Sequence, residues 1–373
     1  MLLALDWAKA FDCIEPQALM VALHRFGLPS ELVDMVKSIY EHRVFFVRDV
    51  GVSSDQHAQH AGICQGCPLS PFLFVMLMTV LMHDAKRRLV RDLGVILSPD
   101  VAIHDLLYAD DTLLIDARGE AVEQFMHCVG EAGMEYGLVF NWDKLESMPV
   151  RCENIIRKAD GTLVKTKSSM VYLGSLLSND GRIGSELARR LGMARGDFQK
   201  LRRVWSHSNL TRRRKTEIFN ACIISKLMYC LHTAYLNKAE RRKLDGLQAR
   251  CMRQIVAVLP SFISRVSNAD VLGRANAATL SSTLLKRQLH LFGTIARRPA
   301  GDAVRDLIFE HGTFDLRISA FQRRRGRPRT SWAKYVWDQA VLAAGSRDNL
   351  HGILQDTILA RRAWGKAVTQ HCK

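Results

Sequence analysis

The chain has 373 residues, with 53 Lys and Arg against 37 Asp and Glu, a formal net charge of +16, and 48% hydrophobic residues. That apolar fraction excludes a disordered chain and supplies folded cores, and the length allows more than one domain. Nine cysteines at irregular spacing give no disulfide framework, the opening apolar run is interrupted at Asp6, and no apolar stretch reaches the roughly 20 residues of a membrane span, so the expectation is a soluble, intracellular protein without a membrane partner.

Leu2-Leu3-Ala4-Leu5 is a short apolar run ending at Asp6. It reads as a buried strand with a carboxylate at its end, although periodicity leaves a helix segment open; for Asp6 itself, a helix N-cap is the competing reading. Pro16 to Tyr40 repeats apolar residues at helical spacing and breaks at Gly27-Leu28-Pro29, which predicts two helices and a turn. Val44 to Val52 reads as a strand. Gly62-Ile63-Cys64-Gln65-Gly66-Cys67-Pro68-Leu69-Ser70-Pro71 is a loop feeding the apolar run Phe72 to Met82, a core helix with Ser70 as N-cap and Pro71 in its first turn. Gly66 would let a ligand approach the backbone, the Gln65 amide would hydrogen-bond a nucleotide, and a helix N-terminus favours phosphate. Cys64 and Cys67 have the spacing of a zinc or redox pair. No second pair at metal-site spacing accompanies them, which favours structural cysteines over zinc.

Tyr108-Ala109-Asp110-Asp111 lies between Leu106-Leu107 and Leu113-Leu114-Ile115. Burying adjacent carboxylates between apolar runs is costly unless something positive sits on them, and magnesium suits hard oxygen ligands. The stretch reads as a metal site at the tip of a β-hairpin; a tight Asp-Asp turn on a solvated hairpin is the competing reading. If the strand ending at Asp6 is a neighbour, three carboxylates converge, and they repel unless cations intervene. Two magnesium ions roughly 3.5–4 Å apart are the usual clamp for displacement at phosphorus. Glu120 to Tyr136 reads as a helix ended by Gly137, with a strand beginning at Val139 and Phe140.

Beyond residue 177 the pattern is helical and basic. Ser185 to Trp205 carries Arg189, Arg190, Arg195, Lys200, Arg202 and Arg203. Thr211 reads as the N-cap of a long helix through Leu231, Lys238 to Val258 as another, and Leu284 to Arg298 as a basic amphipathic helix. Gln322 to Trp332 holds a basic Gly-Arg-Pro run. Residues 1–150 have 11 basic and 21 acidic residues, a balance of −10, whereas residues 151–373 have 42 and 16, a balance of +26. Such asymmetry points to a nucleic-acid-binding second half, with a solvated basic surface as the plainer alternative. Arg212-Arg213-Arg214-Lys215 and Arg323-Arg324-Arg325 would also serve as nuclear import signals, a role such runs take less often than nucleic-acid contact.

Asp6-Trp-Ala-Lys-Ala-Phe11-Asp12, Gln65-Gly66-Cys67-Pro68-Leu69-Ser70-Pro71, Tyr108-Ala-Asp-Asp111, Gly137-Leu-Val-Phe-Asn141-Trp-Asp-Lys144 and Tyr172-Leu173-Gly174 occur in an order and spacing that resembles the reverse transcriptases of non-LTR (LINE-type) retrotransposons. The resemblance covers residue 1 to about 177. It implies an α/β (α+β) right-hand polymerase palm with an antiparallel catalytic hairpin, followed by an all-helical thumb over 178–260 and a basic helical C-terminal region over 261–373. It implies Asp6, Asp110 and Asp111 as catalytic metal ligands for two magnesium ions, with manganese as a substitute. Phe11 would be the aromatic gate against a ribose 2′-hydroxyl; Gln65, Gly66 and Tyr108 would line the dNTP pocket. Lys144 would serve near the triphosphate as the acid for departing pyrophosphate, and Tyr172, Leu173 and Gly174 would form the primer grip. The function implied is RNA-directed DNA synthesis by nucleotidyl transfer from a dNTP to a primer 3′-hydroxyl, with an RNA template and a DNA primer as partners.

The family pattern places a fingers region before its first catalytic Asp, and Met1 stands five residues ahead of Asp6, so the expectation is an N-terminally truncated chain. Lacking a triphosphate clamp would remove much of the rate, because phosphoryl transfer rests on positioning and charge. The alternative is therefore an inactive retroelement remnant that binds RNA or DNA through its basic regions; a polymerase of the same fold with an intron or telomere-like role is a third reading.

Overall fold

The computed structural model describes residues 1–207, 209–317 and 330–372. The basic Arg323-Arg324-Arg325 and Gly-Arg-Pro run lies outside the described residues. The chain divides into two compact units, Met1–Gly174 and Ser175–Lys373.

The first unit is built on a five-stranded sheet. Its strands are β1 (Leu2–Leu5), β2 (Asp105–Tyr108), β3 (Asp111–Ile115), β4 (Glu146–Met148) and β5 (Lys165–Thr166), in spatial order β2-β3-β1-β4-β5. β1 is central and antiparallel to both neighbours, with Leu3 opposite Leu114 and Ser147. The uniformly apolar β1 sequence hides an alternation that the sheet reveals: Leu3 and Leu5 are buried, while Leu2 and Ala4 are half-buried.

Four helices pack with this sheet: α1 (Pro16–Phe26), α2 (Ser30–Tyr40), α3 (Ser70–Arg91) and α4 (Gly119–Met134). One core joins Leu3 and Leu5 of β1 and Leu114 of β3 to Leu19 and Leu23 of α1, Leu77 and Leu81 of α3, and Phe125 and Val129 of α4. Each fully buried aliphatic side chain contributes about 1.5–3 kcal/mol of transfer free energy. Gly27 closes α1 at φ +101, a conformation that favours glycine. Buried Asp84 on α3 is tied to α1 and to the residue run after α4: Arg25 Nη1 donates to its Oδ2 at 2.7 Å and Tyr136 Oη donates at 3.0 Å.

Three local readings differ from the structure. Val44–Val52 is not one strand but parts of two small hairpins, Val44–Phe45 with His57–Ala58 and Arg48–Asp49 with Val52–Ser53, with Val50 and Gly51 both at positive φ in the turn. All these strand residues are exposed, so no core face holds the chain straight. Ser70 is the first residue of α3 rather than its cap, and its hydroxyl lies 3.3 Å from the Tyr40 hydroxyl. Phe140 makes only an isolated bridge to Trp7, and the strand of that region starts at Glu146.

The second unit begins with a short strand, Ser175–Ser178, and is otherwise helical among its described residues, apart from an isolated bridge between Phe309 and Leu316. Its principal helices are α5 (Gly184–Lys200), α6 (Arg212–Phe219), α7 (Lys238–Ile255), α8 (Leu280–Ala296), α9 (Trp332–Ala344), α10 (Arg347–Leu354) and α11 (Ile358–His371). Thr211 does cap α6, accepting from the Arg214 amide at 3.2 Å. The long helix expected after it instead passes into a π-turn at Asn220–Ile224 and stops by Met228, where the Ser225 hydroxyl bonds back to the Ala221 carbonyl. α8 serves two cores: Leu280 and Leu284 pack with Leu187, Phe219 and Leu247, whereas Leu289 and Phe292 pack with Val336, Leu350 and Trp364. Glu186 is buried at the start of α5 and is held by Arg189 and by Arg190, whose Nε lies 2.6 Å from its Oε1. No helix among the described residues is long and apolar enough to cross a membrane.

Candidate active site

The pairing of β1 and β3 ends with Leu5 opposite Thr112, and one further step along that register sets Asp6 across from Asp111. β2 and β3 form a hairpin in which Tyr108 pairs with Asp111, leaving Ala109 and Asp110 as a two-residue turn. Ala109 sits at φ +52, the left-handed region such tight turns require, at a cost of roughly 1–2 kcal/mol for a residue with a side chain. Buried Thr112, Leu113 and Leu114 anchor the hairpin behind the turn. Three carboxylates from distant points of the chain thus occupy one end of the sheet.

Their charges act on one another. Partial desolvation, then Asp110, then Asp6 push the Asp111 carboxyl above its ordinary value. Asp6 Oδ2 is screened from solvent and accepts no hydrogen bond, and its nearest counter-charge is Lys144 Nζ at 3.3 Å. The reading of these carboxylates as enclosed between apolar runs needs correcting. Asp110 and Asp111 are exposed, and so are Leu106, Leu107 and Tyr108 on β2, because only β3 of the hairpin faces the core.

Lys144 reaches Asp6 through backbone pairing. The Ala8 amide donates to the Val139 carbonyl at 2.8 Å, and the Asn141 amide donates to the Asp6 carbonyl at 2.8 Å. Rings set this segment down: Trp7 and Phe140 lie 4.5 Å apart, and Phe140 meets Trp142 edge-on at 5.3 Å.

The loop before α3 docks beside the short helix Ala10–Cys13. The Gly62 amide donates to the Ile14 carbonyl and the Ile63 amide to the Phe11 carbonyl, each at 2.7 Å. A Cβ on Gly62 would stand 2.7 Å from the Asp12 carbonyl oxygen, and its φ is +87, so this close approach requires glycine. Phe11 is half-buried and stacks on Phe74 at 4.6 Å with an interplanar angle of 11°. Gln65 is exposed and donates through Nε2 to Asp12 Oδ1 at 3.3 Å; Gly66, at φ +87, has open space around it.

Tyr172 ends the strand Ser169–Tyr172 and donates through its hydroxyl to the Leu106 carbonyl at 3.3 Å. Burial and the nearby Asp111 push its phenol up to about 12. Leu173 and Gly174 follow, both at positive φ, as in a type I′ turn. The first unit therefore gathers Asp6, Lys144 and Tyr172 around the hairpin that carries Tyr108, Asp110 and Asp111. Phe11 belongs to the short helix Ala10–Cys13, and Gln65 and Gly66 to the loop docked beside it. Two participants escaped the sequence reading: Asp12, the partner of Gln65, and Arg43, which donates through Nη2 to the Gly62 carbonyl at 2.6 Å and lies 4.2 Å over the Tyr40 ring. Both are charged residues in surface segments, and only their tertiary partners mark them.

Among the described residues no three His, Cys, Asp or Glu side chains are already gathered as a cation cage. The donor set nevertheless fits a hard divalent cation: an orphaned Asp6 oxygen and a carboxylate raised by its like-charged neighbours both gain from one.

Residues 1–177 match the family model described as "Reverse transcriptase (RNA-dependent DNA polymerase)". The chain is 24% identical over 324 residues to the "Retrovirus-related Pol polyprotein from type-1 retrotransposable element R2" of Nasonia vitripennis, covering 75% of this chain and 30% of that protein. It is 25% identical over 261 residues to the "Transposon TX1 uncharacterized 149 kDa protein" of Xenopus laevis, covering 66% of this chain and 19% of that protein. The chain thus spans less than a third of either relative. Among solved structures it is similar to a telomerase from Candida albicans, with a TM-score of 0.35 and 13% identity over 79% of this chain and 48% of that one.

Proposed function

We propose that this chain is the RNA-directed DNA polymerase segment of a non-LTR retrotransposon, because residues 1–177 match the reverse transcriptase family model and proteins of a retrotransposable element and a transposon are among its relatives. Reverse transcriptases use divalent cations as a family, and here Asp6, Asp110 and Asp111 are the proposed ligands, with two magnesium ions as the proposed complement. Bound magnesium would acidify the primer hydroxyl and steady the charge on departing pyrophosphate. The chain's own residues do the positioning. Phe11 closes the sugar side of the nucleotide, Gln65 and Gly66 with Tyr108 line its pocket, Lys144 delivers a proton toward the leaving group, and Tyr172 to Gly174 hold the primer end.

The observation that carries this reading is the β1–β3 register, which sets Asp6 across from Asp111 beside the Asp110 turn. RNA template and DNA primer are the proposed partners. A charge balance of +23 over residues 175–373, 37 basic against 14 acidic, supports a phosphate-holding role for the second unit, as does its cavity of about 540 Å³ lined by Arg212, Arg213 and Arg274.

Primer extension on an RNA template tests the proposal. The wild type should incorporate dNTPs with magnesium, and Asp110→Ala should abolish incorporation while leaving RNA binding intact. A chain that shifts labelled RNA yet never extends a primer is instead a binding remnant, the reading that the basic second half favours.

A further inference from the structure

We propose that Cys64 and Cys67 form a reversible dithiol–disulfide site, a modification site whose oxidant is a peroxide. The two thiols bracket Gln65 and Gly66 in a four-residue turn: the Cys67 amide donates to the Cys64 carbonyl at 3.4 Å, and Gly66 takes the third position at φ +87. That conformation is the one a type II turn requires there. Such a turn holds its first and last Cα atoms within about 7 Å, and a disulfide spans about 4.4–6.8 Å. The cysteines need only side-chain rotation, with little backbone travel, to join.

Both sulfurs have polar neighbours. Arg43 Nη1 donates to Cys64 Sγ at 3.2 Å, and Cys64 is exposed. Cys67 lies just before α3, a helix of 22 residues, and the amides of Leu69 and Ser70 together with the Ser70 hydroxyl hold its thiol below the ordinary value. Exposure argues against a packing role for Cys64, and zinc would need further ligands that the described residues do not gather.

The chemistry balances. The Cys67 thiolate attacks one peroxide oxygen, the O–O bond breaks, and the departing hydroxide takes up the proton Cys67 released, giving a sulfenic acid and water. The Cys64 sulfur then attacks the sulfenic sulfur, the S–S bond forms as the S–O bond breaks, and the Cys64 proton leaves with the oxygen as a second water. Two thiols lose two electrons and one peroxide gains them. Closing this ring fixes the backbone of Gln65 and Gly66. The effect on polymerisation rests on the reading of those residues as nucleotide-pocket residues; the dithiol site itself does not.

Tryptic cleavage after Arg48 and Lys86 yields a peptide in which Cys64 and Cys67 are the sole cysteines. After brief hydrogen peroxide treatment of the full chain, this peptide should resist alkylation and weigh two hydrogens less, and dithiothreitol should restore labelling of both thiols. In Cys64→Ser, Cys67 should instead be trapped by a sulfenic-acid reagent. Alkylation of both thiols after peroxide, or pairing of either with a distant cysteine, overturns the site. Peroxide should also lower wild-type primer extension on the order of a hundredfold, the scale of a small misplacement in the pocket, and leave Cys64→Ser untouched. Equal loss in both proteins removes the link to polymerisation, and mapping decides the dithiol even in a chain that extends no primer.

Discussion

Asp6 Oδ2 lies 3.3 Å from Lys144 Nζ and accepts no hydrogen bond, so a lysine stands as the counter-charge of the carboxylate at the end of the central strand. Sheet register brings Asp6 to Asp111 on one side, and backbone pairing brings the Lys144 segment to it on the other. A cation binding among the carboxylates would compete with Lys144 for Asp6 and release the ammonium toward substrate.

Lys144→Met should lower the single-turnover rate of nucleotide addition on the order of a hundredfold, the scale of a lost general acid, with Lys144→Arg recovering charge but little proton transfer. An unchanged rate in Lys144→Met eliminates the acid role.

Folding raises the Asp111 carboxyl, through partial desolvation and the charges of Asp110 and Asp6. An unfolded Asp titrates near about 3.9, so between that pH and the higher folded value the native chain binds more protons, and stability falls as pH rises through the window and stays lowered above it. In chelator at neutral pH, Asp111→Asn should therefore melt above the wild type. Added magnesium should raise the melting temperature of the wild type more than that of the variant; equal shifts would remove Asp111 from the cation site.

Phe11→Ala should admit ribonucleotides, raising their use relative to dNTPs by up to the order of a hundredfold, the discrimination an apolar wall gives against one hydroxyl. Because Phe11 also stacks on Phe74, the variant should lose some thermal stability. A stable Phe11→Leu with wild-type sugar selection would refute the gate.

Glu186 is buried, which alone would raise its carboxyl, but Arg189 and Arg190 outweigh burial and hold it below the ordinary value. Its stabilising contribution is complete above the unfolded value of about 4.3 and is lost as pH falls through the lower folded value. Glu186→Ala removes the buried carboxylate that Arg189 and Arg190 share and should cost about 3–5 kcal/mol in urea unfolding at pH 7. A loss no larger than that of an exposed ion pair would show that water reaches the cluster.

Arg212→Ala and Arg274→Ala should each weaken RNA binding across sequences and reduce the slope of log K against log salt by about 1. Slopes that stay at the wild-type value would place the phosphate path away from this cavity.

Much of this protein was legible before any coordinates. The apolar run closing on Asp6, the double Asp between two strands, the Gly27 break and the Thr211 cap are local signals, and side-chain period and capping chemistry act over a few residues. The five spaced motifs carried the family resemblance for the same reason, since each is short and self-contained. Local rules failed where distant partners decide. Val44–Val52 has strand chemistry, yet with no core against it the chain folds into small hairpins. The helix after Thr211 changes pitch where its own Ser225 competes for backbone.

The sequence by itself determined which residues carry charge, which runs are apolar and where turns fall. Only the tertiary structure decided that β1 pairs with β3 so that the charge of Asp6 acts on Asp111, that Lys144 is the counter-charge of Asp6, and that Asp12 and Arg43 hold the loop around Gln65. Those contacts join residues far apart in the chain. Their free energy depends on strand register and on the packing that enforces it, which no short window of sequence contains.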